Sequence, residues 1–413
     1  MKVLSLGALY GANASGKSNL LKAIQTLREL VTKGVAPDEL IPVDRFLLGD
    51  RSAMHRDPTF FEIHFIVSEE MYCYGLECDD RYIRREWLRY TMEDKPLFDR
   101  YMGVSGKAII ENYEELTNRS ETKAERLQFV AEGTRPNQPF LTQANEQNVQ
   151  GVQEIINWFR FLLEIFDPGS SLRPHMRGRL STPMEDFDQL GIFLNRIDTG
   201  ISKVETYFTD FDLDQLPAHV RHAVEGFFLR QDAFVMDVPL DGENITLSKD
   251  ATGKIARQHI RARHSDGTND GILLDWSNES DGTQRTTELW QMIFTGISPD
   301  RVLLIDELDR SLHPELTRAL IQAWRQSAPA GNQLIFTTHN DNFLEDDLLR
   351  RDEVWFVSKD KTGASRMVSE TQFKPVEGVT RQRAYLDGMY GGTPRIPSRG
   401  FYSVSRDSQE ADK

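Results

Sequence analysis

The segment Gly11-Ala12-Asn13-Ala14-Ser15-Gly16-Lys17-Ser18 fits G-x-x-x-x-G-K-[ST] at every fixed position. It stands between a short apolar run at residues 3–10 and the stretch Lys17–Lys33, whose Leu20, Ile24, Leu27 and Val31 recur at helical spacing before Gly34. Strand, glycine-rich loop and helix in that order make a phosphate cradle. Glycines let backbone N–H groups curl around phosphate oxygens, and the helix N-terminus adds a favourable partial charge. Lys17 is then placed for the β- and γ-phosphates and the Ser18 hydroxyl for Mg²⁺, with Asn19 adjoining the nucleotide-binding set. A turn that merely ends a strand is the plainer alternative, and the flanking elements argue against it.

Downstream, a second apolar run, Val302–Ile305, delivers Asp306 and Glu307 to the end of a buried strand, where carboxylates need a cation or a proton to transfer. Asp306 suits the outer sphere of the Mg²⁺ held by Ser18, and Glu307 suits a general base acting on the attacking water. Two solvated acids capping a strand would be the bland reading. A neighbouring strand at 333–338 runs into His339, however, so two strand ends present polar groups where α/β sheets bind ligands.

Around these segments the pattern changes repeatedly. Residues 60–92 alternate at period two (Phe61, Ile63, Phe65, then Tyr72, Tyr74, Leu76) and predict an antiparallel meander. Residues 111–230 are richer in helical runs, such as 152–163, and read as an inserted lobe without sustained heptads. At 257–263, Arg257, His259, Arg261 and Arg263 share one strand face. A charged, solvated edge strand is favoured there over a nucleic-acid or partner face, and the loop 173–179 is the other local basic feature. The last third interleaves strands with a helix at 314–326 and predicts a parallel sheet.

The net charge of −15 repels nucleic acid and membrane phosphates, so any DNA or RNA contact must be local. No run approaches the roughly 18 apolar residues of a membrane helix, and a cytoplasmic location without membrane contact is expected. Cys73 and Cys78, a lone C-x4-C, suggest neither a zinc site nor a disulfide framework and read as reduced strand residues.

The order Gly11–Ser18, Glu279-Ser280-Asp281-Gly282-Thr283-Gln284-Arg285, Asp306-Glu307, Ser311-Leu312-His313-Pro314 and His339 resembles the Walker A, signature, Walker B, D-loop and switch-histidine series of ABC ATPases. It is most similar to the branch with the SMC, RecF and OLD ATPases, and especially to stand-alone prokaryotic ATPases of anti-phage and abortive-infection modules. The tail with Tyr390-Gly391-Gly392-Thr393-Pro394 also looks like that group. The resemblance implies an α/β P-loop NTPase head of ABC type, a mostly parallel sheet plus an antiparallel meander, with an inserted, mainly helical lobe. Head segments are expected at 1–110 and 231–397, the lobe at 111–230 and a loose tail at 398–413. It implies ATP and Mg²⁺ as cofactors and hydrolysis of ATP with Lys17, Glu307 and His339 as catalytic groups. Ser280 and Gly282 of one copy would cap the γ-phosphate held by Lys17 of another, so two sites require a head-to-tail homodimer. Taken alone, Ser280–Thr283 would be an ordinary turn capping a helix at 286–294.

Some features depart from that pattern. Glu279 and Asp281 replace an apolar residue and a glycine of the transporter-type signature. The Mg²⁺-sensing glutamine is Gln143 or Gln147. Relatives carry two further strands before the loop strand, so either the sheet has an edge covered by something else or Met1 is not the natural start. After His339 there is no acidic cluster suited to a two-metal nuclease. The expected output is therefore control of a separate effector, such as a nuclease or toxin. A DNA-clamping maintenance ATPase, a non-hydrolysing scaffold and a transporter motor stand as alternatives, the last disfavoured by the large lobe and polar signature.

Overall fold

The computed structural model describes residues 3–46, 48, 57–103, 108–119, 122–167, 185–197, 199–229, 235–240, 243–250, 252–265, 271–294, 299–345 and 348–393. The expected tail 398–413 and the basic loop 173–179 lie outside them. The chain divides into two compact units: Met1–Phe166 with Pro299–Leu308 and Ala330–Lys413, and Asp167–Ser298 with Asp309–Pro329.

In the first unit a six-stranded sheet runs in the order Ser365–Ser369, Val354–Lys359, Leu6–Tyr10, Gln333–Thr337, Val302–Ile305, Leu163–Phe166. All neighbours are parallel except the hairpin partner Ser365–Ser369. Leu6–Tyr10 is buried at every position, as expected of a parallel strand covered on both faces. Parallel pairing sends the ends of three neighbouring strands, at Tyr10, Thr337 and Ile305, to the same edge, where the motifs begin.

The helix Lys17–Lys33 buries Leu21, Leu27, Leu30 and Val31 and stops at Gly34, whose N–H donates to Leu30 O and whose positive φ of 68° glycine adopts without steric cost. The meander is larger than its sequence pattern indicates, with strands Thr59–Val67, Glu70–Cys78, Ile83–Tyr90, Lys95–Met102 and Ala108–Glu111 in consecutive antiparallel order. Its core face presents Phe65, Tyr72, Tyr74 and Leu76 to a cluster that also holds Leu27, Phe140 and Phe159. Phe65 stacks on Trp158 with ring centroids 4.3 Å apart. Each large side chain buried this way contributes about 1.5–3 kcal/mol.

The chain does not divide at the expected boundary of residue 110. Leu116, Leu127, Val130, Phe140, Ile155 and Phe159 belong to the same core cluster as the helix Lys17–Lys33, so this unit extends to Phe166. The stretch 152–163 is helical only in part: Gln153–Asn157 is α, Trp158–Leu162 is a π turn, and Leu163–Phe166 is the edge strand beside Val302–Ile305.

The second unit contains helices Glu185–Arg196, Ala218–Phe228, Asp281–Phe294 and Pro314–Ser327 together with an antiparallel sheet, most of whose strands follow residue 230; the described elements within 111–230 are mainly helical, with strands at Leu163–Phe166 and Ile201–Asp210. The basic strand, Ile255–His264, is central rather than an edge. It pairs with Ile201–Asp210 along nearly its whole length and with Glu243–Lys249 and Ile272–Asp275 at its two ends. Cross-strand carboxylates neutralise Arg261 and Arg263. Arg261 donates to Asp275 at 2.9 Å and lies 3.8 Å over the Tyr207 ring, and Arg263 donates to Glu205 at 3.0 Å. His259 stacks on Tyr207 at 4.7 Å. Arginines already satisfied by carboxylates make a poor phosphate-tracking face.

Candidate nucleotide-binding site

The loop after Leu6–Tyr10 is shaped by close approaches that leave no room for side chains. A Cβ on Gly11 would sit 2.4 Å from the Val357 carbonyl oxygen, and one on Gly16 would sit 2.2 Å from Ser365 Oγ. Gly16 also has φ 109° and Ala14 φ 61°. Lys17 is buried and folds back over the loop, its Nζ donating to the carbonyls of Gly11 (2.7 Å) and Ala12 (3.3 Å). The helix that follows has no side-chain cap and no acidic residue in its first turn, so its leading N–H groups face outward unneutralised. The buried Ser15 hydroxyl has no hydrogen-bond partner. Uncapped donors, a lysine at the loop mouth and an orphaned hydroxyl together fit a bound polyphosphate. Ser18 is half-buried and Asn19 exposed on the first helical turn, and Asn13 and Ala14 are exposed at the loop tip.

Sequence reasoning missed two supports of this loop. Ser365, on the antiparallel hairpin strand, donates from its hydroxyl to the Ser15 carbonyl at 2.7 Å. The segment after the helix Arg381–Leu386 packs behind the loop. Phe356 and Tyr390 stack at 4.3 Å, Tyr385 meets Tyr10 edge-on at 5.6 Å, and a Cβ on Gly392 would be 3.4 Å from Gly11 Cα. The resemblance noted in Tyr390-Gly391-Gly392 thus falls on residues that press against the cradle.

The acidic pair is organised by Thr337, a residue that neither motif nor periodicity singles out. Its hydroxyl donates to Asp306 Oδ1 at 2.5 Å and accepts from the Glu307 N–H at 2.7 Å. Glu307 has φ 50°, a left-handed conformation uncommon for a residue with a Cβ, and its N–H bond to Thr337 holds it there. Asp306 is buried, with its N–H donating to Phe166 O at 2.8 Å. Thr338 donates from its N–H to Leu9 O (3.2 Å) and accepts from Asn340 N–H at its hydroxyl (3.0 Å), leaving the intervening His339 exposed at the same sheet edge. Lys17, Ser18, Asp306, Glu307 and His339 therefore all belong to one unit and one edge of one sheet. Thr337→Val removes both bonds. The expected result is a tenfold to hundredfold slower turnover, matching about 1–3 kcal/mol for orphaned buried groups, with Thr337→Ser close to wild type in a steady-state phosphate-release assay.

Gln143 is not brought to this edge. The adjacent Thr142 donates to the carbonyls of Leu30 (3.1 Å) and Val31 (2.9 Å), at the C-terminal end of the helix Lys17–Lys33. At about 1.5 Å per residue this is roughly 18 Å along the helix from Ser18. The short helix Phe140–Glu146 is fixed there by the buried Glu86, which accepts from the N–H groups of Phe140 and Leu141 at 2.5 and 3.0 Å. Gln147, the alternative, ends the same helix, its carbonyl held by Arg126. Ser18 and Asp306 thus remain the groups suited to Mg²⁺, and Gln143 is removed from the nucleotide and metal sets.

In the second unit, Ser280 caps a helix that starts earlier than expected, at Asp281. Its Oγ accepts from Thr283 N–H at 3.1 Å and lies 2.9 Å from Thr283 Oγ1. The capping reading is therefore correct as local structure, and it leaves Ser280 exposed at a helix N-terminus. A Cβ on Gly282 would be 2.9 Å from the Ser311 carbonyl, so the signature turn and the Ser311–Pro314 turn pack directly on each other.

Among the described residues no helix is long and apolar enough to cross a membrane. No curated protein matches the chain. Among solved structures, an SMC head bound to the C-winged helix domain of ScpA is similar at 14% identity and TM-score 0.35, over 88% of this chain and 90% of that one. The SMC head domain from Thermotoga maritima is similar at 12% identity and TM-score 0.28, over 88% and 89%. Residues 7–345 match the family described as AAA domain, putative AbiEii toxin, Type IV TA system; that span is most of the chain, and the protein belongs to this family.

Proposed function

We propose that the protein binds ATP with Mg²⁺, closes as a head-to-tail homodimer and reopens by hydrolysis, acting as a cytoplasmic switch on a separate effector, such as a nuclease or toxin, in anti-phage defence. The observation behind this reading is the Thr337 hydroxyl joining Asp306 and Glu307 at the sheet edge that also bears the Lys17 cradle. Mg²⁺ held through Ser18 and Asp306 would neutralise phosphate charge and help position the nucleotide. Lys17 would release the loop carbonyls to bind the β- and γ-phosphates, Glu307 would take a proton from the attacking water, and His339 would donate to the γ-phosphate. The exposed Ser280 and the Gly282 N–H of a second copy would close the site, two good phosphate donors at a helix start.

Mixing variants tests the head-to-tail arrangement. Lys17→Ala and Ser280→Arg each lower turnover by about 10²-fold or more when assayed alone, as loss of a charge-stabilising donor does. Combined, they form mixed dimers in which the intact loop of one copy meets the intact serine of the other, and a substantial share of turnover returns. Mixtures as inactive as their components would rule out the composite site. ATP with Mg²⁺ is expected to shift the wild-type mass from monomer to dimer.

A further inference from the structure

On the face of the meander turned away from the core, Glu62, His64 and Cys73 come together across two strands. His64 and Cys73 are directly opposite in the antiparallel register, and Glu62, two residues before His64, faces Gly75. One donor atom from each of the three lies within 4.8 Å of the others. His64 Nε2 is 3.5 Å from a Glu62 carboxylate oxygen. We propose that this triad is a binding site for a borderline divalent transition-metal ion, zinc above all, distinct from the magnesium site at the phosphate loop.

The donor set is the first support. Thiolate, imidazole and carboxylate are the three protein ligands zinc accepts, and metal–ligand distances of about 2.0–2.3 Å place neighbouring ligands about 3.5 Å apart, within small side-chain adjustments of the spacing here. Mg²⁺ and Ca²⁺, which demand oxygen ligands, are poorly served by a thiol and an imidazole.

The surroundings are the second support. His64 Nδ1 lies 3.3 Å from Thr91 Oγ1, so the Nδ1–H tautomer donates to that hydroxyl and leaves Nε2, the nitrogen facing Glu62, as the ligand. The Trp87 side chain covers Gly75, where a Cβ would strike the indole at 2.2 Å. The glycine therefore makes room for the indole opposite Glu62. His64 and Glu62 remain 43% and 38% exposed at their side chains, which leaves a path for the ion and a fourth position for water or an outside ligand. Binding releases the Cys73 proton to solvent and leaves a thiolate and a carboxylate to balance the two positive charges. Cys78 points into the core cluster and takes no part, which is why the C-x4-C spacing misleads: the ligands come from adjacent strands.

The experiment titrates the full-length, nucleotide-free protein with Co²⁺ and then Zn²⁺. One equivalent of Co²⁺ is expected to give a thiolate-to-cobalt charge-transfer band together with tetrahedral d–d bands, both abolished by equimolar Zn²⁺. The oxygen ligands of the phosphate-loop site cannot produce the charge-transfer band. Cys73→Ser eliminates it, and His64→Ala and Glu62→Gln, on half-exposed side chains that the fold does not depend on, weaken affinity by about 10-fold or more. Cys78→Ser retains the band. Absence of the band in wild type, or its persistence in Cys73→Ser, overturns the site.

Discussion

Glu307→Gln lowers ATP turnover by about 10²–10⁴-fold, the contribution of a positioned general base, while leaving nucleotide affinity near wild type. The substitution is isosteric and the backbone N–H of residue 307 still donates to Thr337, so the left-handed turn and the Asp306 carboxylate stay in place. What the proposed mechanism loses is its proton acceptor. In the proposed cycle ATP closes the dimer and hydrolysis opens it, so the variant is expected to accumulate as an ATP-stabilised dimer. Single-turnover phosphate release and mass in ATP and Mg²⁺, measured on the same preparation, read the two halves separately. Turnover within a few-fold of wild type would remove Glu307 from the base role. Slow turnover without a longer-lived dimer would keep the chemistry but break its link to assembly.

The parts of this site that were legible in the sequence are those written in contiguous residues. The loop Gly11–Ser18, the helix Lys17–Lys33 and the strand Val302–Ile305 each state their own structure, because spacing, glycine positions and an apolar run are local properties. What failed depended on partners distant in sequence. Thr337 acts only because its strand pairs with Val302–Ile305 and brings a hydroxyl between two carboxyl-bearing residues. The strand Leu163–Phe166 hides inside an apolar run continuous with the helix before it, and periodicity cannot separate a buried helix from a parallel strand over so few residues. Arg261 and Arg263 read as part of a charged, solvated edge because Asp275 and Glu205, which neutralise them, lie on other strands. Gln143 looked suitable because the sequence does not reveal at which end of a 17-residue helix it sits.

Arg301→Met is expected to destabilise the first unit by about 3–5 kcal/mol, the cost of breaking a buried ion pair from one side. Arg301 is 0% exposed, and its Nε and Nη2 donate to the two carboxylate oxygens of Glu164 at 2.6 and 3.0 Å. Glu164 sits opposite Leu303 on the edge strand, so the pair ties Leu163–Phe166 to the strand that ends in Asp306 and Glu307. Without the guanidinium, the carboxylate remains in a low-dielectric setting without its charge partner. Against a total stability of about 5–15 kcal/mol this is a large fraction, read as a lower urea midpoint at unchanged slope and a melting temperature down by roughly 10 °C. Adding Glu164→Leu to Arg301→Met removes the stranded charge and recovers most of the loss, because a well-packed apolar pair is as stable as a buried ion pair or more so. The carboxylates emerge at the other end of the same strand, so folded single variant at low temperature keeps its turnover per active molecule. A single variant within about 1 kcal/mol of wild type would show that the pair contributes little. A double variant no better than the single would show that the loss comes from packing around the arginine stem rather than from the uncompensated carboxylate.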